Sequence, residues 1–385
     1  MKTIYLDNAA TTCPHPDVVK AMTEALTSLY GNPSALYDKG IEAEKTVKSV
    51  RQHIATSIGA LPEEIYFTSG GSEGDNMLIK GITDYKPRKG TRIIATQIEH
   101  PAVLDVFRFY ETQGVDVVYL SVDHDGYVNL EQLADSIDAN TVLVSIMGVN
   151  NEIGTVQDLK TIGRIIKEKN PNCRFHTDYV QGYMKLPVDV EACKIDALTL
   201  CGHKICGPKG IGAVYLRKGV NIRPLIMGGG QESNLRSGTE NVPGIVGLGE
   251  AIKVQQAFGS EGLDKIKNVR KVMIEALSDI DEMQINGPED ACPYVLSLSF
   301  KGIRGEVLLH SLEGEGIYVS TGSACSSHKK EKQHVLTAIG LDSDSKEGTI
   351  RVSFSMMTTE EEVLAAAEAI KRHVAQIRLL MRYKK

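Results

Sequence analysis

The chain has 385 residues, 42% of them hydrophobic and 24% charged, so it can bury a large core and form two domains. Its formal net charge of −6 argues against a protein devoted to nucleic-acid binding. The N-terminus lacks the apolar core of a signal peptide, and no apolar run approaches the roughly 18 residues of a membrane span, so we expect a cytoplasmic protein without a membrane segment.

The cysteine pattern is typical of reduced thiols rather than of disulfides. The seven cysteines are odd in number and include no Cys-x-x-Cys pair. Cys201, His203 and Cys206 are close in sequence, but a fourth ligand with zinc-like spacing is missing, so no metal site is predicted. The cysteines stand at positions 13, 173, 193, 201, 206, 292 and 325.

The N-terminal part is predicted to form a short strand and two helices. Residues 4–6 are typical of a strand, and the polar residues of the loop 7–16 either face a binding site or serve as plain turn residues. Apolar spacing predicts helices over 17–29 and over about 36–58, the second of which is capped by Gly59.

Short apolar strands and helices then alternate as far as residue 216. This rhythm predicts a mostly parallel sheet with helices on both faces, in which ligands bind at the carboxyl ends of the strands. The predicted helices include residues 77–82, a helix that begins at 99–101 and ends at Gly114, and one capped by Asp158 that ends at Lys169. The predicted strands are 65–68, 92–95, 117–120, 141–147, 175–177, 197–200 and 211–216.

After about residue 260 the pattern is that of a small α+β domain. A charged helix over 262–281 comes first, and the last helix starts with a capping box at Thr359 and Glu362 and ends near residue 381. Between these helices the sequence predicts strands 294–300, 317–320 and 349–354 and helices 304–315 and 333–339.

Lys204 follows a buried strand and is surrounded by glycines, which is an unusual place for a lysine. A desolvated lysine loses proton affinity and becomes the nucleophilic amine that a Schiff base requires; on this stretch alone, a solvated turn lysine explains the pattern equally well. Asp178 ends the preceding strand and could keep a pyridine nitrogen protonated, as in sites for pyridoxal 5′-phosphate (PLP).

Two further stretches after predicted strands contain groups that suit a ligand. The turn Gly70-Gly71-Ser72 presents backbone N–H groups and a hydroxyl where a helix begins, which suits a phosphate, although such turns are common. His100 also follows a strand, and its alternative role is that of an ordinary residue at a helix start.

Cys325 and Arg351 are the candidate reactive and substrate-binding residues of the C-terminal part. Small and charged residues around Cys325 predict an exposed, flexible loop, and the nearby lysines favour a reactive thiolate over an incidental surface thiol. Arg351 lies in an apolar strand and therefore needs a partner, which is either a substrate carboxylate or a structural salt bridge.

Four stretches together resemble the NifS/IscS-type cysteine desulfurases, which are PLP enzymes of the class V aminotransferase group with fold type I. The resemblance covers essentially the whole chain. It implies a large PLP-binding domain of residues 16–260 with a mostly parallel sheet, and a smaller α+β domain of residues 1–15 and 261–385 that carries the catalytic cysteine loop. The stretches are YLDNAATT (5–12), HTDYVQG (176–182), CGHKICGPKGIG (201–212) and TGSAC (321–325).

The resemblance also implies a role for each candidate residue around PLP. Lys204 would hold the cofactor as a covalent aldimine, with His100 over the ring, Asp178 on the pyridine nitrogen and Gln181 on the phenolic oxygen. The phosphate would be bound by Gly71, Ser72, Cys201 and His203, and by Thr239 of the neighbouring subunit. Cys201 stands where the family usually has serine, and a thiol is the weaker donor.

Asn151 is implied to lie beside both the cofactor and the substrate, and Arg351 is implied to bind the substrate. The adjacent Asn150 is not distinguished from Asn151 by sequence. The stretch 355–357 (Ser-Met-Met) departs from the Gly-Arg that the family has after this strand.

The implied reaction converts L-cysteine to L-alanine and leaves a persulfide on Cys325. A homodimer would pass this sulfur to an acceptor protein, either an iron–sulfur scaffold in cluster assembly or a sulfurtransferase in tRNA thiolation, without direct contact with nucleic acid or membrane. A selenocysteine lyase, a class V aminotransferase and a non-enzymatic assembly subunit with a PLP fold remain alternatives.

Overall fold

A computed structural model describes residues 3–85, 89–321 and 333–381 as a mixed α/β protein. The strands are β1 (Ile4–Tyr5), β2 (Ile65–Thr68), β3 (Arg92–Thr96), β4 (Asp116–Leu120), β5 (Thr141–Ser145), β6 (Arg174–Asp178), β7 (Ala197–Cys201), β8 (Gly212–Leu216), β9 (Met283–Asn286), β10 (Val295–Phe300), β11 (Ile317–Tyr318) and β12 (Thr349–Ser353). The α-helices are α1 (Pro16–Ser28), α2 (Asp38–Ile58), α3 (Gly71–Thr83), α4 (Pro101–Thr112), α5 (Leu130–Ser136), α6 (Leu159–Lys169), α7 (Val242–Leu277), α8 (Gly305–Glu313), α9 (His334–Ala338), α10 (Ser343–Glu347) and α11 (Glu360–Leu380).

The seven-stranded sheet has the order β2-β8-β7-β6-β5-β3-β4. Strand β8 is antiparallel to both of its neighbours, whereas all the other neighbouring pairs are parallel. The five residues of β7 and the five of β8 are all buried, as expected for strands covered on both faces. The predicted mostly parallel sheet is therefore confirmed.

Helix α3 packs directly on this sheet because a glycine faces it. A Cβ atom on Gly74 would lie 2.7 Å from Thr199 Cγ2 and 2.9 Å from Val214 Cγ1, so a larger residue would push the helix off β7 and β8. The close approach fixes the start of α3 beside the carboxyl end of β7.

A second sheet, with order β12-β10-β9, is antiparallel and belongs to the C-terminal part of the chain. The N-terminus joins this part: β1 pairs in parallel with β11, and Ile4 and Leu6 lie in one apolar cluster with residues such as Phe300. The division into residues 16–260 and residues 1–15 with 261–385 stays a prediction.

The sequence placed the start of α3 too late and missed one helical stretch. Helix α3 begins at Gly71 instead of residue 77, because its first turn, Gly-Ser-Glu-Gly, has no apolar periodicity. Helix α7 is interrupted at Gly259, where φ is 52° and ψ is −154°; the helix predicted over 262–281 corresponds to the part after this kink, and the part that begins at Val242 was not predicted. Strand β9 and the short helices α5 and α10 were not predicted. Within the described ranges, no helix has both the length and the apolar character needed to cross a membrane.

Gly212→Ala tests the contact between β8 and the turn that precedes α3. The added Cβ would lie 2.7 Å from the Leu200 carbonyl oxygen and 2.9 Å from Gly70 Cα. Since overpacking of this kind costs about 1–3 kcal/mol, we expect a lower free energy of unfolding by that amount in urea titrations. Gly314→Ala is the control, because its Cβ would approach no atom closer than 3.4 Å; equal effects of the two substitutions would contradict the packing described.

Candidate active site

The candidate residues meet at the carboxyl edge of the large sheet. Asp178 is the last residue of β6, and Lys204 follows the end of β7 by three positions. His100 lies in the turn between β3 and α4, and Asn151 lies in the loop after β5. Since these strands are parallel, their ends lie side by side, and the predicted location of the site agrees with the geometry.

Lys204 is held inside this edge by main-chain oxygens of the N-terminal loop. Its Nζ donates to the carbonyl of Ala9 at 2.5 Å and to that of Ala10 at 2.6 Å. Burial lowers the pKa of His100 and of His203, and the positive charge of Lys204 lowers both further. The geometry is not that of a solvated turn lysine.

The loop 7–15 lies along the turn that carries Lys204. The backbone N–H and the hydroxyl of Thr12 both donate to the carbonyl of His203 at 2.9 Å, and the hydroxyl accepts from Cys206 N at 2.8 Å. On the opposite side, Asn8 Nδ2 donates to the carbonyl of Ser353 at 2.9 Å. Sequence reasoning considered the polar side chains of this loop but missed that its carbonyls contact Lys204, because main-chain groups leave no signal in residue type.

Asp178 is a buried carboxylate with a neighbouring cation. Its Oδ1 accepts from Val180 N at 2.9 Å. Burial raises the pKa of Asp178 to about 6, against the opposing effect of the Lys204 charge. The carboxylate is therefore largely ionised at neutral pH, as a partner of a protonated ring nitrogen must be.

A second buried carboxyl lies behind Asp178 and was not predicted. Asp75 is 1% exposed, and its Oδ1 lies 3.6 Å from His176 Nε2. Burial and the charge of Asp178 raise the pKa of Asp75 well above its ordinary range, and burial lowers the pKa of His176 to about 3. His176 is thus neutral at pH 7, and burial favours the protonated form of Asp75 beside the Asp178 carboxylate.

The two ring nitrogens of His100 differ in their hydrogen bonds. It caps helix α4, because its Nδ1 accepts from Ala102 N at 3.1 Å. The Nε2 atom therefore carries the proton of the neutral ring. Burial, followed by the charges of Lys204 and His334, lowers the pKa of His100 to about 4, so the imidazole is uncharged at neutral pH.

The predicted phosphate cradle combines the start of α3 with the end of β7. A Cβ on Gly71 would lie 2.9 Å from Val180 Cγ2, so glycine is required there. Cys201 is fully buried, and burial raises the pKa of its thiol to about 11. His203 Nδ1 lies 3.2 Å from the Thr11 hydroxyl, and burial lowers the pKa of His203 to about 4. Cys201 and His203 are thus neutral donors.

Thr239 is exposed and lies in a loop that is fixed at two points. Arg236 Nε pairs with Glu73 Oε1 at 2.8 Å, which attaches the loop to the first turn of α3. Glu232 accepts two hydrogen bonds from Arg51, each at 2.8 Å, in a largely buried bidentate pair. These contacts hold the loop that carries Thr239 in place on the surface.

Hydrogen bonds identify the partners of Arg351 and distinguish Asn150 from Asn151. Arg351 is 3% exposed and donates to Asp7 Oδ1 at 2.8 Å and to the carbonyl of Asn151 at 2.9 Å, so the structural salt bridge considered from sequence is present. The Asn150 side chain is bonded to backbone atoms of residues 98, 152 and 153. Asn150 therefore stabilises the loop, which leaves Asn151 as the asparagine available to a ligand. Cys325 lies outside the described residues.

Comparison with known proteins identifies the family to which this site belongs. The profile of the family described as Aminotransferase class-V matches residues 4–365, and the chain belongs to that family. Among its relatives, the cysteine desulfurase IscS of Clostridium botulinum is 42% identical over 98% of this chain and 96% of its own. The cysteine desulfurase IscS of Methanosarcina thermophila is 44% identical over 98% and 93%. A solved structure titled NIFS-LIKE PROTEIN, 39% identical, superposes with a TM-score of 0.91 over 97% of this chain and 100% of that one.

The family implies PLP, and the groups present at the carboxyl edge fit it. A lysine amine suits the aldehyde, an ionised carboxylate suits the pyridine nitrogen, and neutral donors at a helix N-terminus suit the phosphate. All three kinds of group lie at the carboxyl edge, at the ends of β2, β6 and β7.

The buried carboxyl group of Glu99 is expected to make the stability of the fold depend on pH, and Glu99→Gln tests this. Glu99 is fully buried, its Oε1 accepts from Thr96 Oγ1 at 2.7 Å and from Met147 N at 3.0 Å, and burial raises its pKa from 4.5 to about 8. Between pH 5 and 8 the folded chain keeps this proton while the unfolded chain has lost it, so stability falls as pH rises. Glutamine keeps the acceptor and does not titrate.

We therefore expect the melting temperature of Glu99→Gln, relative to the natural chain, to increase steadily from pH 5 to pH 8. Thermal unfolding at several pH values measures the difference, with the exposed Glu63→Gln as control. A difference that is the same at every pH would show that Glu99 is ionised in the folded protein.

Proposed function

We propose that this chain is a PLP-dependent L-cysteine desulfurase. The observation that carries the proposal is the position of the Lys204 amine, which lies at the carboxyl edge of the sheet with Asp178 and His100 and is held by the Ala9 and Ala10 carbonyls. The relatives named cysteine desulfurase, which align over nearly their whole length, support this substrate and reaction.

Lys204 is the residue that would hold PLP, through a covalent Schiff base with its Nζ. Asp178 would bind the pyridine nitrogen, Gln181 the phenolic oxygen and His100 the face of the ring. Bound PLP supplies an electron sink for the substrate Cα. Lys204 Nζ would be the base that takes the Cα proton, and the neutral His100 imidazole would be able to move a proton nearby.

The substrate is proposed to lie between Asn151 and Arg351. Arg351 Nη1 and Nη2 are engaged by the Asn151 carbonyl and Asp7, while its buried Nε has no hydrogen-bond partner within the described part of the chain. An orphaned donor of this kind suits the α-carboxylate of an amino acid.

Sulfur transfer is assigned to Cys325 from its sequence context. Its thiolate attacks the substrate sulfur, so the S–S bond of a persulfide forms while the substrate C–S bond breaks. The electron pair left on carbon takes a proton, which yields alanine. The persulfide sulfur then passes to a thiol of an acceptor protein, an iron–sulfur scaffold or a sulfurtransferase.

The active unit is proposed to be a homodimer. Thr239 is exposed in the single chain, and the contacts of Arg236 with Glu73 and of Glu232 with Arg51 hold its loop in place. This arrangement suits a hydroxyl that binds the phosphate in the neighbouring subunit.

The reaction is tested by adding L-cysteine and a reductant to the PLP-loaded protein and measuring alanine and sulfide together. We expect equal amounts of the two products, because each C–S cleavage yields one of each. Pyruvate, or neither product from protein with bound PLP, would contradict the proposal and favour an aminotransferase or a lyase for another substrate.

Cys325→Ser separates cofactor binding from sulfur transfer. We expect this variant to bind PLP as the natural chain does but to form no persulfide on reaction with cysteine, with a loss of desulfuration of at least about 100-fold, as for other lost nucleophiles. Mass spectrometry under non-reducing conditions detects the persulfide. Cys13→Ser, at an exposed cysteine, is the control; a persulfide that persists without Cys325 would assign the nucleophile to another residue.

A further inference from the structure

Lys185 is a buried lysine for which the proposed reaction has no use. It is 7% exposed and follows β6 in the loop that contains Gln181. Its Nζ lies 3.4 Å from Gln181 Oε1 and 5.2 Å from the centroid of the Tyr294 ring. Within residues 3–85, 89–321 and 333–381, no carboxylate forms an ion pair with this amine, and a buried cation without one is costly.

The groups that surround the Lys185 amine do not neutralise it. The titratable groups whose charges act on this amine are the thiols of Cys292, Cys206 and Cys201 and the guanidinium of Arg351. Burial raises the pKa of each of these thiols, so they are uncharged at neutral pH. Lys185 Nζ is thus held by the face of the Tyr294 ring and by the amide oxygen of Gln181.

The chain turn places Lys185 against Gln181. Gly182 N and Tyr183 N both donate to the carbonyl of Tyr179, at 3.1 and 2.8 Å, and Lys185 N donates to the carbonyl of Gly182 at 3.0 Å. A Cβ on Gly182 would lie 2.6 Å from the Tyr179 ring, so the turn requires glycine there. The compact turn brings the side chains of residues 181 and 185 together.

Lys185 fixes the orientation of the Gln181 amide. A lysine ammonium only donates, so the amide atom that faces it is Oε1. The Nε2 atom then lies on the other side, where it donates at 2.9 Å to the Ala9 carbonyl, which also accepts from Lys204. A flipped amide would place two donors together at Lys185 and two acceptors together at Ala9.

We propose that Lys185 is a positioning residue that keeps the N–H donors of Gln181 directed to the Lys204 side of the site. The inference rests on the proposed function, because it is there that Gln181 is expected to donate to the phenolic oxygen of PLP. Without Lys185 only the contact with the Ala9 carbonyl opposes a flipped amide, so the flipped form, which presents an acceptor to that oxygen and destabilises its ionised form, becomes more populated.

The test is a pH titration of the absorbance of PLP-loaded Lys185→Met, which keeps the length of the side chain and removes its charge and donors. We expect the pKa of the bound chromophore to rise by about half to one pH unit, the equivalent of one hydrogen bond, and PLP to dissociate about two- to tenfold faster. Lys185→Arg, which still only donates, should restore both values. Lys218→Met, at an exposed lysine, is the control.

A double-mutant cycle distinguishes an effect through the orientation of the Gln181 amide from a direct electrostatic effect of the Lys185 charge on the cofactor. In a Gln181→Ala background, Lys185→Met should cause no further shift, because the amide it orients is gone. A shift that persists in this background, or an unchanged pKa and PLP dissociation rate in Lys185→Met alone, would overturn the inference while leaving the desulfurase proposal intact. A natural chain that takes up no PLP would overturn both.

Discussion

The carbonyl of Ala9 is the contact on which the arrangement of the site depends. It accepts hydrogen bonds from both Lys204 and Gln181, at 2.5 and 2.9 Å, and thereby joins the ends of β6 and β7 to the N-terminal loop. That loop is in turn bonded to Ser353 at the end of β12, in the antiparallel sheet. The N–H and the carbonyl of Ala9 therefore connect Ser353 in the antiparallel sheet to Lys204 and Gln181 at the large sheet.

Burial then determines which groups at this edge are charged. Burial lowers the pKa of His100 to about 4, so its imidazole is neutral at pH 7, and burial also raises the pKa of Asp75. Asp178, with a pKa of about 6, stays largely ionised and is the negative charge that a protonated pyridine nitrogen matches. The electrostatics and the hydrogen bonds of Ala9 thus support the same ligand.

The sequence made candidates of polar side chains placed after apolar strands, because such a residue contrasts with its buried surroundings. Lys204, Asp178 and His100 became candidates in this way, the structure brings them to one edge of the sheet, and their roles around PLP, which the family resemblance implies, stay predictions. The contacts of the Ala9 carbonyl and of Lys185 could not be predicted, because one is a main-chain group and the other depends on a turn that brings the two side chains together. The first half of α7 was missed as well, because its glycines weaken the helical pattern.

The most direct test of this account is to locate the Schiff base chemically. The PLP-loaded chain is reduced with borohydride, digested and mapped by mass spectrometry. The account predicts a pyridoxyl group on Lys204 and none on the buried Lys185. A label on Lys185 or on any other lysine would contradict the assignment of Lys204, and with it the site built around the Ala9 carbonyl.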